Sequence, residues 1–352
     1  MFDEAGWRAK VEAADGAMFY AKHVDEDGNF FNPWLAQDNR EWSFGRALSY
    51  WWSKDDIAKS LVFPAEKYAN VENSYDYLSD ASNSSISFIG HASLAIKLDG
   101  TTILTDPFFS SRAFIVGKEL KLAFDYDKLP ARPVVLISHS HYDHLDKASV
   151  KELAKRGARF IVPLKLGEYI ASLGATEVHE LDWWNSIELD GILYTLVPAQ
   201  HWSRRMFQAA GSTLWGGFVI EGSRTIYFAG DTGYFKGYRE IAKHFAIDYA
   251  LLPVGAYIPR EMMYYNHQNV NEFFMAVDDL GAKIAIPIHL GIIQLGAEPV
   301  LYPLYEVDEY MKAKPEYKDR VRMMRVGEFI LMGIEKDVDR YQRRSKKVVQ
   351  LG

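Results

Sequence analysis

From residue 84 onwards, apolar and polar residues follow the patterns expected of short strands. SISFIG (85–90) and SLAIKL (93–98) alternate with a period of two, which predicts short strands. Asp99-Gly100 follows and predicts a tight hairpin turn into TTILTD. VVLIS (134–138) is a continuous apolar run, typical of a strand that is buried on both faces.

The remainder of this region alternates strands with helices. Asp146 predicts the N-cap of a helix that runs to about Arg156 and ends at Gly157, and a second helix ends at Gly174. Further segments have strand or helix patterns: strands at RFIVP, 192–199, 214–222, 224–230, YALLPVG and 283–288, and helices at GYREIAKHF and NVNEFFMAVDDLG. This order predicts a layered α/β architecture.

The first 83 residues have no dominant period but contain five of the nine tryptophans: Trp7, Trp34, Trp42, Trp51 and Trp52. We interpret residues 1–83 as an aromatic extension packed on a main domain at 84–335, followed by a basic C-terminal tail at 336–352. In the alternative interpretation, some of these rings line an apolar substrate entrance or touch a membrane surface.

Composition limits the class of protein. The 352 residues fit one large domain or two domains, with 48% hydrophobic and 25% charged residues as in globular proteins. A net charge of −7 argues against a nucleic-acid partner. The absence of cysteine excludes disulfides, Cys-ligated zinc, iron–sulfur clusters and a Cys nucleophile. Without a signal-peptide pattern or an apolar stretch of about 18 residues, we expect a cytoplasmic protein of undetermined oligomeric state.

Three histidines and an aspartate lie within six residues in SHSHYDHLD, which contains His139, His141, Asp143 and His144. Alternate side chains of an extended segment point the same way, so His139 and His141 can bind one metal ion. Asp143 and His144 follow the turn and can serve a second ion nearby. Neutral imidazole and carboxylate are typical zinc ligands.

Three further residues that can bind a metal directly follow predicted strands: His201 in PAQHWS, Asp231 in FAGDTG and His289 in IPIHLG. Strand ends are where α/β sheets present their sites. The set suffices for two ions, with His139, His141 and His201 on one, Asp143, His144 and His289 on the other, and Asp231 bridging. We expect Zn²⁺, with Mn²⁺ or Fe²⁺ as alternatives.

This H-x-H-x-D-H pattern with later His, Asp and His resembles the metallo-β-lactamase superfamily over about residues 84–335. FIGHASLAIKLDGTTILTDPFFSSRA, PAQHWSRR, FAGDTGY and IHLG are similar to the branch of N-acylphosphatidylethanolamine-hydrolysing phospholipase D and its bacterial relatives. The resemblance implies a four-layer αββα sandwich with a metal pair at one edge of the two sheets.

It also implies a metal-dependent hydrolase whose nucleophile is a hydroxide that bridges the two ions and is oriented by Asp143. His141 stands where oxygen-reducing relatives usually carry Glu, which favours hydrolysis over redox chemistry. The favoured reaction is phospholipase D-type cleavage of a phosphodiester in an N-acyl phosphatidylethanolamine-like lipid, with peripheral membrane contact left open. The alternatives are a lactonase or other ester hydrolase at the same dinuclear site, or a non-catalytic metal-binding module.

Two residues are candidates to orient the ligating histidines. Asp106 ends TTILTD and can accept a hydrogen bond from such a histidine, or it is only a turn residue before Pro107. His91 in IGHAS lies near a strand end, where it has either the same role or a structural one.

Four more residues are candidates for contact with the substrate. Arg204 and Arg205 follow His201 closely enough to bind a phosphate oxygen, with surface ion pairing as the alternative. Trp202 is a candidate for the wall of an apolar cleft. His267 in MMYYNHQN either protonates the leaving group or caps the helix predicted at 270–280.

Overall fold

The computed structural model describes residues 2–35, 56–73, 75, 78, 84–120 and 126–333. Trp42, Trp51 and Trp52 lie outside the described residues, as does the expected basic tail at 336–352. Within the described ranges, no helix is both long enough and apolar enough to cross a lipid bilayer.

The strands of the described residues, numbered in chain order, are β1 (Ser85–Gly90), β2 (Ser93–Leu98), β3 (Thr101–Thr105), β4 (Arg112–Ala113), β5 (Val116–Gly117), β6 (Val134–Leu136), β7 (Arg159–Pro163), β8 (Glu177–Leu181), β9 (Ser186–Leu189), β10 (Ile192–Val197), β11 (Gly217–Glu221), β12 (Thr225–Phe228), β13 (Tyr249–Pro253), β14 (Ile284–Ile288) and β15 (Phe329–Leu331). They form a seven-stranded sheet in the order β15-β1-β2-β3-β6-β7-β8 and a six-stranded sheet in the order β14-β13-β12-β11-β10-β9. The strands β4 and β5 form a separate hairpin.

Helices connect and cover the sheets. α-Helices lie at Glu4–Glu12, Lys147–Lys155, Gly167–Ser172, Gly237–His244, Arg260–Met263, Val270–Leu280 and Tyr302–Ala313. Short 3₁₀ helices lie at Gly16–Tyr20, Ala65–Tyr68, Tyr126–Lys128 and Pro315–Tyr317.

Side chains along the buried strands alternate between two apolar layers. In β6, Val134 and Leu136 belong to the core that contains the second sheet, whereas Val135 packs with Val150 and Leu153 of helix Lys147–Lys155. This alternation follows from the two-residue period of a strand. The helix Val270–Leu280 packs against β13 of the second sheet, so each sheet has a helical layer and the predicted αββα sandwich is confirmed.

The hairpin turn and the helix ends predicted from the sequence are present in the structure. Asp99 and Gly100 both have positive φ, 47° and 84°, between β2 and β3, as a two-residue hairpin turn requires. The Asp146 carboxylate accepts a hydrogen bond from the Ala148 amide at the start of helix Lys147–Lys155. Gly157 follows that helix with a φ of 73°.

The strand predicted at 214–222 is shorter than expected and begins at Gly217. The Leu214 amide donates to the Leu164 carbonyl and the Gly216 amide donates to the Ser138 carbonyl. These bonds lead to the first sheet, so the backbone before Gly217 links the two sheets instead of extending β11.

Aromatic residues of the segment 2–35 pack against the strands. Trp7, Phe19 and Trp34 are buried in the same core as the strands, and the rings of Trp34 and Trp183 lie 5.3 Å apart. The Asn32 side-chain amide donates to the His201 carbonyl over 2.9 Å. The extension therefore supports the loop after β10.

Candidate metal centre

The candidate ligands lie where strands of both sheets end at one shared edge. His139 follows β6, His201 follows β10, Asp231 follows β12 and His289 follows β14. The sheets are joined at this edge, since the His91 amide donates to the Leu290 carbonyl and the His289 amide donates to the His91 carbonyl, both over 2.8 Å. The parallel arrangement of β12, β13 and β14 brings two of these ligands to the same end.

Gly230 is required immediately before Asp231. Its φ of 62° lies in the left-handed region, which glycine tolerates best. A Cβ at this position would lie 2.5 Å from the Ser138 Cβ. The glycine thus lets the ends of β12 and β6 approach each other and brings Asp231 close to the histidines.

The first group of donors contains His139, His141, His201 and Asp231, whose ligand atoms all lie within 4.8 Å of one another. The Nδ1 atom of His141 is 2.8 Å from His139 Nε2 and 3.3 Å from His201 Nε2. The Oδ2 atom of Asp231 is 3.6 Å from His201 Nε2. Three imidazoles and one carboxylate can hold one divalent ion.

The second group also contacts Asp231 and contains Asp143, His144 and His289. His144 Nε2 is 3.1 Å from Asp143 Oδ2 and 3.2 Å from Asp231 Oδ2. Asp231 Oδ1 is 3.0 Å from His289 Nε2. His91 joins this group, with its Nε2 2.8 Å from Asp143 Oδ2.

Three buried atoms of these groups test whether a metal fits. His144 Nε2, His289 Nε2 and Asp231 Oδ1 are excluded from solvent and make no well-aligned hydrogen bond, although His289 Nε2 and Asp231 Oδ1 lie only 3.0 Å apart. An unpaired buried polar atom is costly, and a cation bound by its lone pair removes that cost. The donor set, imidazole nitrogen and carboxylate oxygen, is also the one that zinc and similar ions take. The residues present therefore fit a metal.

Charges of the protein groups in the site compensate one another. Burial opposes the charged form of His144, but the carboxylates of Asp231, Asp143 and Asp106 outweigh it and raise the pKa of His144 well above its usual value. Burial also disfavours the carboxylate of Asp231, but the imidazoles of His144 and His289 outweigh it and hold its pKa well below the usual range. Positive charge is therefore favoured between the carboxylates, where a cation would sit.

The pKa values of His139 and His201 are lowered well below the usual value for histidine. Burial is the largest cause for both residues, and neighbouring imidazoles add to it. Both side chains are therefore neutral at pH 7 and have lone pairs free for a metal.

Asp106 and Ser138 orient two of these imidazoles from behind. Asp106 accepts hydrogen bonds from the Ser138 amide at 2.7 Å, the Ser138 hydroxyl at 2.5 Å and His144 Nδ1 at 2.6 Å. Ser138 Oγ also lies 2.9 Å from His139 Nδ1. Contacts at Nδ1 leave Nε2 facing the metal site. Ser138 was not among the sequence candidates, and its place directly before His139 is the one signal of its role.

Arg205 contacts the backbone of the ligand loop at 139–145. Its Nη1 donates to the carbonyls of Ser140 at 2.7 Å and Leu145 at 3.0 Å. Its guanidinium lies 4.1 Å from the ring centroid of Tyr142. This geometry favours a role in bracing the loop over the substrate contact expected from the sequence.

The other two candidates for substrate contact lie nearby along the chain. Arg204 is exposed, and its Nε donates to the Gln208 carbonyl over 3.2 Å. The Trp202 ring lies 4.9 Å from the His141 ring, edge to face. Trp202 therefore stands beside the first donor group.

His267 lies against both donor groups. Its ring centroid is 5.5 Å from that of His201 and 5.3 Å from that of His289, and its Nδ1 has no hydrogen-bond partner. Burial lowers the pKa of His267 to about 3 in the metal-free protein. The helix that follows is capped by Asn269 in a capping box with Glu272, so the capping role considered for His267 is wrong.

Comparisons with known proteins agree with this geometry. A family model described as a beta-lactamase superfamily domain matches residues 101–290. An uncharacterized protein of Mycobacterium tuberculosis is 35% identical over 256 residues, which cover 68% of this chain and 67% of that protein. An N-acyl-phosphatidylethanolamine-hydrolyzing phospholipase D of Caenorhabditis elegans is 33% identical over 254 residues, covering 66% of this chain and 71% of its own.

The fold has solved counterparts. A metallo hydrolase of the archaeon Ignicoccus hospitalis superposes with a TM-score of 0.54 and 20% identity, covering 71% of this chain and 99% of its own. The matched family model and these relatives agree with the αββα sandwich and with the His and Asp residues at its edge. The chain belongs to the metallo-β-lactamase superfamily and is a metal-dependent hydrolase of that superfamily.

Proposed function

We propose that the chain hydrolyses a phosphodiester at a dinuclear metal centre and that its substrate is an N-acyl phosphatidylethanolamine-like phospholipid. The observation that carries the dinuclear site is that the Asp231 carboxylate lies within reach of both donor groups. Its Oδ2 is 3.6 Å from His201 Nε2 in the first group and 3.2 Å from His144 Nε2 in the second, and its Oδ1 is 3.0 Å from His289 Nε2. A carboxylate that contacts both groups suits a bridging ligand, with Zn²⁺ favoured over Mn²⁺ or Fe²⁺.

The protein's own residues have separate tasks in this reaction. A bound pair of divalent ions supplies Lewis-acid stabilisation of the scissile oxygen and lowers the pKa of water. Asp143, held by His91 Nε2 at 2.8 Å, orients the attacking water through its carboxylate. Burial lowers the pKa of His267 to about 3, so its neutral imidazole assists the leaving oxygen by a hydrogen bond from its ring N–H.

The substrate class rests on two supports. The similarity to the C. elegans phospholipase D covers 66% of this chain at 33% identity. The exposed guanidinium of Arg204 and the ring of Trp202 beside His141 offer a cation and an apolar wall for a lipid phosphate. We further propose that residues 84–335 are the catalytic domain, with 1–83 packed on it, in a cytoplasmic protein.

The test is elemental analysis of the purified protein, followed on the same sample by cleavage of bis(p-nitrophenyl) phosphate with and without chelator. We expect about two metal ions per chain and cleavage that stops on chelation. An N-acyl phosphatidylethanolamine in mixed micelles and an N-acyl homoserine lactone are then compared at equal concentration. Cleavage of the lactone without either phosphodiester would overturn the proposal in favour of a lactonase. A full metal complement with no hydrolysis of any of these substrates would also overturn it.

A further inference from the structure

Exposed apolar side chains concentrate in two loops beside the metal centre. Of the described residues, seven large hydrophobic side chains are exposed, and four of them belong to these loops. Phe114 (53% exposed) and Ile115 (71%) form the tip of the β4–β5 hairpin. Met206 (53%) and Phe207 (96%) lie in the loop after His201. We call these four residues the apolar rim.

Tyr142 joins the two loops into one surface. The Phe114 ring stacks on the Tyr142 ring at 5.0 Å, and the Met206 amide donates to the Tyr142 hydroxyl over 3.1 Å. Tyr142 stands in the chain between His141 and Asp143, one from each donor group. The apolar rim therefore lies at the margin of the metal centre.

Two residues of the apolar rim also have unfavourable backbone conformations. Phe114 has a φ of 53° and Phe207 a φ of 68°, in the left-handed region that bulky residues rarely adopt. A strained backbone that keeps an aromatic side chain exposed to water does not stabilise the isolated folded chain. Strain and exposure together indicate a surface that acts on a partner.

The charge around the apolar rim identifies the partner. Segments 107–118 and 202–212 contain four cationic residues and no Asp or Glu, although the whole chain has a net charge of −7. Arg112 and Arg204 are the exposed cations of these segments. A second copy of the chain would bring the same cations together, whereas an anionic lipid surface complements both the charge and the apolar side chains.

We propose that the apolar rim is a membrane-docking surface, which inserts Phe114, Ile115, Met206 and Phe207 into the interface of an anionic phospholipid bilayer. Docking there holds the metal centre at the level of the lipid headgroups, where the phosphodiester lies. The inference rests on the proposed function for the orientation of the substrate, but lipid binding is measured without turnover. The buried N-terminal aromatics Trp7, Phe19 and Trp34 are not part of this surface.

The test is co-sedimentation of the full-length, metal-loaded protein with vesicles of equal parts phosphatidylcholine and phosphatidylglycerol, and with vesicles of phosphatidylcholine alone. The double variant Ile115→Ser/Phe207→Ser removes two inserting side chains. Val62→Ser is the matched control, because Val62 is 87% exposed and lies outside the apolar rim. Metal content and circular dichroism establish that each variant is folded.

We expect the wild type to bind the anionic vesicles at least about tenfold more tightly than the neutral ones. The double variant loses at least about tenfold in affinity, and Val62→Ser stays within about twofold of wild type. A wild type that binds neither vesicle, or a double variant that binds like wild type, would overturn the docking surface. A dimer that the double variant dissociates, without vesicle binding, would overturn it in favour of self-association. Vesicle binding that is lost in the double variant supports docking even where no phosphodiester is cleaved, and in that case only the proposed reaction fails.

Discussion

Replacing Asp106 by Asn tests how the outer contacts of the site control metal binding. The side chain is fully buried and accepts hydrogen bonds from the Ser138 amide, the Ser138 hydroxyl and His144 Nδ1. Asn has nearly the same volume but offers one oxygen and one NH₂ group. One of the two faces of the side chain therefore changes from acceptor to donor.

Both orientations of the new amide are unfavourable. With its NH₂ toward His144, the imidazole must accept at Nδ1 and carry its proton on Nε2, the atom that faces the metal. With its NH₂ toward Ser138, two N–H donors face each other at the position where the Oδ1–amide distance is now 2.7 Å. Either arrangement costs about 1–3 kcal/mol. We therefore expect metal at the second donor group to bind about 10- to 100-fold more weakly.

The assay is competition for metal against a chromogenic chelator, with thermal unfolding of the metal-free protein measured in parallel. Asp146→Asn is the matched control, since Asp146 is also buried and accepts from the Ser149 hydroxyl and the Ser110 amide, outside the metal centre. It should lower stability with unchanged metal affinity. If Asp106→Asn binds both metals like wild type, or if Asp146→Asn weakens binding equally, the tautomer argument is refuted.

Four further results follow from the site. Asp143→Asn should lower turnover of a phosphodiester at least about 100-fold with little change in circular dichroism, and wild-type rates at unchanged metal content would contradict its role. Arg205→Ala should lower the free energy of unfolding by about 2–4 kcal/mol in urea titrations, because two carbonyls and the Tyr142 ring lose their partner. A change confined to KM for anionic substrates would instead assign Arg205 to the substrate. Arg204→Ala should weaken the binding of anionic substrates more than that of neutral ones in steady-state kinetics. An equal loss of binding for both would rule out a contact between Arg204 and the phosphate. Burial lowers the pKa of His91 to about 3, so below pH 6.5 the unfolded chain takes up a proton that the folded chain does not. Between pH 7 and pH 5 the metal-free wild type should therefore lose about 2 kcal/mol more stability than His91→Gln, and urea titrations in which both proteins lose the same amount would disprove the lowered pKa of His91.

Local patterns in the sequence predicted much of the fold. The strands β1, β2 and β3 match the predicted segments because a strand pattern is visible within a few neighbouring positions, although all their residues are buried on both faces. The strand β8 was missed, since EVHEL at the sheet edge is mostly half-exposed and has no clear alternation. The strand β15 has only three residues, Phe329–Leu331, and forms by pairing with β1 far away in the chain. Edge strands of this kind depend on a partner that the local sequence does not contain.

The sequence by itself determined the chemistry of the centre, because His and Asp directly after apolar strands identify both the ligand types and the edge at which they meet. Only the tertiary structure decided which of these groups touch. His91 and Asp143 are 52 positions apart yet lie 2.8 Å from each other, and Arg205 reaches across to the loop that holds Tyr142. Such contacts arise from the packing of two sheets at a shared edge, which depends on the shape and register of all the layers. The periodic pattern of a segment indicates which of its residues are buried, whereas the packing of the whole fold determines which residues they contact.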